Sequence, residues 1–199
     1  MAGFTYARTG ALARERALAL PRLFAFTDPA RTPDPLGLAA RLPAGTGLIL
    51  RHFGRDELKA LAEPLARMAR RQGFALFIAA DPVLALEVEA DGVHWPQRRL
   101  TELRRWRLKA PRLLVTASAH SPAALRRAAK LADAVFLSPV FPSNSASAGA
   151  PLGTIRASAM ARQVSVPVLA LGGVALDDLA ALQARGFHGA GAVEAFSDA

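Results

Sequence analysis

Three features of the 199-residue chain predict an α/β fold, with alternating strands and helices closed into a single (β/α)8 TIM barrel. Eight short apolar runs recur along the sequence, and each is followed by an Ala/Leu/Arg-rich amphipathic stretch. The runs are nearly continuously apolar, as parallel strands covered on both faces must be. The length sits at the lower limit of about 200 residues for eight such units. A doubly wound open sheet is the structural alternative, but it normally uses fewer strands.

The strand-like runs are RLFAFT (22–27), GLILR (47–51), ALFIA (75–79), DGVH (91–94), RLLVTA (112–117), DAVFLS (133–138), VPVLAL (166–171) and HGAGAV (188–193). After the second, Leu58, Leu61, Leu65 and Met68 recur at helical spacing. After the fifth, Ser121-Pro122 opens a helix, the hydroxyl as cap and the proline in the first turn. After the seventh, 175–185 repeats the pattern and stops at Gly186, which can take the left-handed conformation of a helix end. Residues 1–21 are basic and rich in Ala and Leu. Arg14, Glu15 and Arg16 interrupt what would be the apolar centre of a signal peptide, so the expectation is an N-terminal helical extension. Residues 22–199 then form one domain.

Hydrophobic residues make up 52% of the chain and charged ones 21%, which excludes a disordered protein. No apolar run reaches the roughly 18 residues of a membrane helix. With no cysteine there is neither disulfide nor thiolate metal site, and the cytoplasm is the default location. The net charge of +9 is carried by arginine, the only lysines being Lys59, Lys109 and Lys130. The Arg clusters fall in helix-like segments without interleaved aromatics, so they read as solvated faces and not as a nucleic-acid surface.

In a barrel, chemistry belongs at the C-terminal ends of the strands. LALGGV (169–174) places Gly172 and Gly173 there, open to two readings: a phosphate cradle of backbone N–H groups, or a tight turn needing positive φ. In TASAHS (116–121), Ser118 and His120 alternate onto one face. A hydroxyl and an imidazole together can bind a polar ligand and move a proton; equally, His120 could satisfy a carbonyl or cap a helix. In ADGVHWPQ (90–97), Trp95 is expected to wall a ligand pocket, while His94 taken alone reads as structural. His52, His94 and His120 lack an accompanying carboxylate, so no metal site is expected. His188 should lie at the opposite end. The loop 138–153 is rich in hydroxyls and has no Lys or Arg, so Ser138, Ser143, Asn144 and Ser145 are expected to cover a small ligand.

In order, ADGVH (90–94), SAH (118–120), SPVFPS (138–143), PVLALGGV (167–174) and GFHGAGAV (186–193) resemble the thiamine-phosphate synthase/TenI family from Arg22 onward. The resemblance implies a (β/α)8 barrel binding a thiazole- or pyrimidine-type small molecule, with a homodimer left open and no membrane partner. A synthase of this family joins a pyrimidine methyl diphosphate to a thiazole phosphate with magnesium. Here the strand-two motif Gln-x-Arg-x-Lys reads Ile49-Leu50-Arg51-His52-Phe53, keeping only Arg51. The strand-three Asn-Asp-Arg reads Ala79-Ala80-Asp81, and Gly-Gln-x-Asp after strand four reads Pro96-Gln97-Arg98-Arg99. The loop lysine falls at Ala146. Diphosphate release needs that lost charge, so synthase activity is expected to be absent or weak, an active synthase being the less favoured alternative, and no magnesium cofactor is expected.

What remains looks like the TenI branch, some of whose members are thiazole phosphate tautomerases. The resemblance implies His120 as acid/base, with Arg51, His94, Trp95 and Ser118 about the ring. Gly172, Gly173, Val193 and Glu194 would stand around the phosphate, although a carboxylate at Glu194 opposes a dianion. The alternative is a non-catalytic ligand-binding or regulatory barrel.

Overall fold

The computed structural model describes residues 20–51, 55–143 and 149–193. Most of the expected N-terminal helix therefore lies outside the described residues, as do His52, Asn144, Ser145, Ala146 and Glu194. The strands are β1 (Leu23–Phe26), β2 (Gly47–Leu50), β3 (Ala75–Ala79), β4 (Gly92–Trp95), β5 (Leu114–Ala119), β6 (Ala134–Leu137), β7 (Val168–Leu171) and β8 (Gly189–Ala192). The helices between them are α1 (Pro35–Ala40), α2 (Arg55–Gln72), α3 (Pro82–Glu87), α4 (Leu100–Lys109), α5 (Pro122–Ala129), α6 (Thr154–Ala161) and α7 (Asp178–Ala184). A short 3-10 turn, Gln97–Arg99, precedes α4. The eight strands pair in sequence order, all parallel, and β8 closes on β1. This is the (β/α)8 barrel that the alternating apolar runs predict.

Boundaries moved where proline or turn chemistry intervened. β5 begins two residues later than the run at 112 suggests and continues to Ala119, so Ser118 is inside the strand and His120 just beyond it. β7 begins at Val168, after Pro167, which has no N–H to give the ladder. Ser121 caps α5, its Oγ accepting from the Ala124 N–H at 3.2 Å, as the sequence implies. Asp81 does the same for α3, accepting from the Leu84 N–H at 2.9 Å.

Two apolar layers hold the barrel. Inside, Phe24, Phe26, Ile49, Phe77, Phe136 and Leu169 fill the axis. Their rings meet edge to face, with centroids 5.4 Å apart for Phe24–Phe77 and 5.0 Å for Phe26–Phe136. Glycines opposite these rings make the room. A Cβ on Gly47 would fall 2.2 Å from the Phe24 ring, and one on Gly92 would fall 2.3 Å from Phe77. Outside, Leu48, Leu50, Leu76, Ile78, Val93, Trp95, Val115 and Val135 pack against the helices. At the strand N-termini, Asp133 is fully buried. It accepts two hydrogen bonds of 2.7 Å from Arg107 and one of 2.8 Å from the Val115 N–H. His188 also lies at that end, 3.3 Å from the Leu20 carbonyl. No helix among the described residues is long and apolar enough to cross a membrane.

Candidate active site at the C-terminal rim

Strand alternation sends His94, Thr116 and Ser118 toward the barrel interior, and the β4–β5 register puts His94 opposite Thr116. His94 Nδ1 lies 2.9 Å from Thr116 Oγ1, and Nε2 lies 2.9 Å from Ser118 Oγ. The ring is buried between Phe26 and Phe136, with centroids at 5.4 and 5.5 Å. Burial lowers its pKa to about 3, helped by the positive charge of Arg51 and by His120, so His94 is neutral at physiological pH.

Trp95, one residue on, points the other way. Its ring is 1% exposed within the strand–helix layer and does not wall the rim. The correction has a simple cause: neighbouring residues of a strand face opposite sides, and the inward place belongs to His94. The Arg99 guanidinium covers the indole at 5.3 Å, bonds the Ala80 carbonyl at 2.9 Å, and is held by both oxygens of Glu102.

His120 is exposed at the mouth and fixed at two points. Its backbone N–H donates to Gln97 Oε1 at 2.7 Å. Ring Nδ1 lies 2.9 Å from the Ser138 carbonyl oxygen, which can only accept, so Nδ1 carries a proton and, in the neutral ring, Nε2 holds the lone pair. Sequence reasoning missed Gln97 as a partner; no local pattern marks an amide that reaches across to the next strand. Thr116 was legible in principle, since it shares the inward parity of Ser118.

At β7, Gly172 and Gly173 have φ of +88° and +65°. The segment after β6 runs beside them, Val140 N–H donating to the Leu171 carbonyl at 2.9 Å and Phe141 N–H to the Gly172 carbonyl at 3.0 Å. A Cβ on Gly173 would fall 2.0 Å from the Pro142 carbonyl oxygen. The turn reading of the two glycines therefore holds on geometry alone. Ser138 and Ser143 are half-buried at the same rim, as is Val193 after β8.

Across the mouth, Arg51 donates from a terminal nitrogen to Asp28 Oδ2 at 2.7 Å, and Arg31 reaches the same oxygen at 3.2 Å. Burial pushes the Asp28 carboxyl up, but the bond and charge of Arg31 and the charge of Arg51 outweigh it and hold the group below its ordinary value. Burial lowers Arg51, and Asp28 offsets part of that. Arg51 Nε is buried without a hydrogen-bond partner, a donor directed at nothing among the described residues.

The acidic side chains described near the rim are otherwise engaged. The strand-three carboxylate position holds Ala80, Asp81 caps α3, and Asp28 is engaged by two guanidinium groups. Among the described residues no three His, Asp or Glu side chains gather as metal ligands. A cavity of about 530 Å³ lies at the other end of the barrel, lined by Thr46, Arg70, Glu89 and Asp91 among others. It is remote from the rim groups described above, and barrel chemistry belongs to the rim.

Comparison with known proteins identifies the family and the fold. The family model described as thiamine monophosphate synthase (TMP-TENI) matches residues 32–196. A putative thiamine-phosphate synthase 2 of Aquifex aeolicus is 30% identical over 183 residues, covering 89% of this chain and 98% of the relative. A thiamine-phosphate synthase of Chlorobium luteolum is 34% identical over 187 residues, covering 90% of this chain and 86% of its own. Among solved structures, a thiamine phosphate pyrophosphorylase from Pyrococcus furiosus superposes with a TM-score of 0.72 at 23% identity, covering 89% and 87% of the two chains. FabK from Thermotoga maritima, at 0.71 and 19% identity, shares the barrel as well, so that likeness speaks for the fold alone.

Proposed function

Starting from the chain's membership of the thiamine monophosphate synthase family, we propose that it is a TenI-type barrel. In this reading it binds a thiazole phosphate or similar small heterocycle and moves a proton on it. The observation that carries the reading is the double fixing of His120, which leaves Nε2 as a base at the mouth. Nε2 takes a proton from one ring position, becoming imidazolium, and returns it to another; one bond to hydrogen breaks and another forms, with no electron donor needed. Backbone N–H groups of Gly172, Gly173 and Val193 would hold the phosphate beside Glu194. Ser118 and Arg51 would orient the ring. Ser138, Ser143, Asn144 and Ser145 would cover the ligand. No magnesium step enters, because the carboxylates that would hold the ion are replaced. The cytoplasm is the proposed location.

The second reading is a non-catalytic binder or regulator. It is favoured by Ala79-Ala80 at the strand-three end and by Arg51 being already engaged with Asp28. Thiazole tautomer interconversion by the full chain and by His120→Ala separates the two. The enzyme reading expects a rate that the variant loses. Equal rates for the protein, the variant and buffer alone would sink the catalytic claim, and calorimetric binding without turnover would establish the second reading.

A further inference from the structure

The polarity of the Thr116–His94–Ser118 chain follows from counting protons. Thr116 is fully buried, and His94 Nδ1 at 2.9 Å is the only side-chain hydrogen-bond partner of its hydroxyl among the described residues. If Nδ1 carried the proton, Thr116 would accept and its own buried O–H would be left without an acceptor, which is costly. Thr116 therefore donates to Nδ1. His94 is neutral, so its single proton sits on Nε2 and is donated to Ser118 Oγ, 2.9 Å away. The flanking Phe26 and Phe136 rings offer the imidazole no other polar partner. With a lone pair occupied from below, the half-buried Ser118 keeps its own O–H for the mouth.

Building on the function proposed above, we propose that Thr116 locks His94 as its Nε2–H tautomer, and that His94 thereby makes Ser118 a hydrogen-bond donor toward the ligand. Thr116 and His94 are positioning residues that act through Ser118. The substrate class follows from the donor: an azole whose bare ring nitrogen accepts from Ser118, while His120, two residues further along, handles the proton. A ring presenting N–H at that place meets a donor and is rejected.

Two measurements on the full chain test this. First, nitrogen-15 NMR of the His94 ring should show a single neutral tautomer with the proton on Nε2, unchanged between pH 7 and pH 5. Thr116→Val, which keeps the shape and removes the hydroxyl, should give a tautomer mixture. Second, calorimetry should show thiazole phosphate binding at least about tenfold more tightly than its thiophene analogue, which lacks the ring nitrogen. That preference should vanish in Ser118→Ala and shrink in Thr116→Val. An Nδ1–H tautomer in the wild-type protein overturns the lock, with no variant required. Equal binding of the two compounds overturns the donor role of Ser118 while leaving the proposed function standing; binding of neither overturns both.

Discussion

The ring of His120 and the carbonyl of Ser138 are joined by a 2.9 Å hydrogen bond from the end of β5 to the end of β6. Together with the 2.7 Å bond from the His120 N–H to Gln97, it fixes the ring between two neighbouring strand ends. Replacing Gln97 by Leu removes the backbone anchor, while Gln97→Glu keeps an oxygen that can accept. The expected result is a kcat about tenfold lower for the Leu variant, roughly 1.4 kcal/mol, with KM little changed and most of the rate restored by Glu. A purely structural role would lower the melting temperature and leave kcat per folded molecule alone.

Stability should depend on pH through His94. Its folded-state pKa of about 3 lies below the ordinary 6.5. The unfolded chain takes up the proton first, so this stability is complete above pH 6.5 and is lost progressively as pH falls toward 3. At up to about 1.4 kcal/mol per pH unit, a shift to pH 5 costs about 2 kcal/mol from this group alone. Urea unfolding at pH 7 and pH 5 measures the loss, and His94→Gln should show a flatter profile.

The buried Asp133–Arg107 pair predicts a large effect far from the rim. Asp133→Ala takes the carboxylate from Arg107 and the Val115 N–H, leaving the guanidinium its 3.3 Å bond to the Leu113 carbonyl. Denaturant unfolding should show a loss of about 3–5 kcal/mol. Ligand binding by the fraction that remains folded should be unchanged.

Two glycines with similar backbone angles should behave differently. Gly45 has φ of +81° with open space around it, so Gly45→Ala should cost only about 1 kcal/mol. Gly173→Ala adds a clash with the Pro142 carbonyl to its φ of +65°. It should cost more and displace the β6 loop, visible as lost affinity for thiazole phosphate in calorimetry.

Much of the fold was legible because the strands of a parallel barrel, covered on both sides, leave runs such as ALFIA and VPVLAL that few other elements produce. Ser118 and His120 could be placed at the rim for the same reason. His94 and Trp95 could not be sorted. Alternation says that they face opposite ways, but which one faces inward is a question of phase, and a four-residue strand carries too little pattern to fix it.

The sequence by itself determined the eight βα units and the end of the barrel where chemistry belongs, both local properties of composition and period. The departures from the synthase motifs come from setting the chain beside the family it resembles. The tertiary structure alone decided that His94 meets Thr116, that Gln97 anchors His120, and that Arg51 is drawn to Asp28. These pairs lie 22, 23 and 23 residues apart, and their meeting depends on register between neighbouring strands. Register is set when the whole sheet closes and every inward ring must find its glycine, a condition that no single stretch of chain can express.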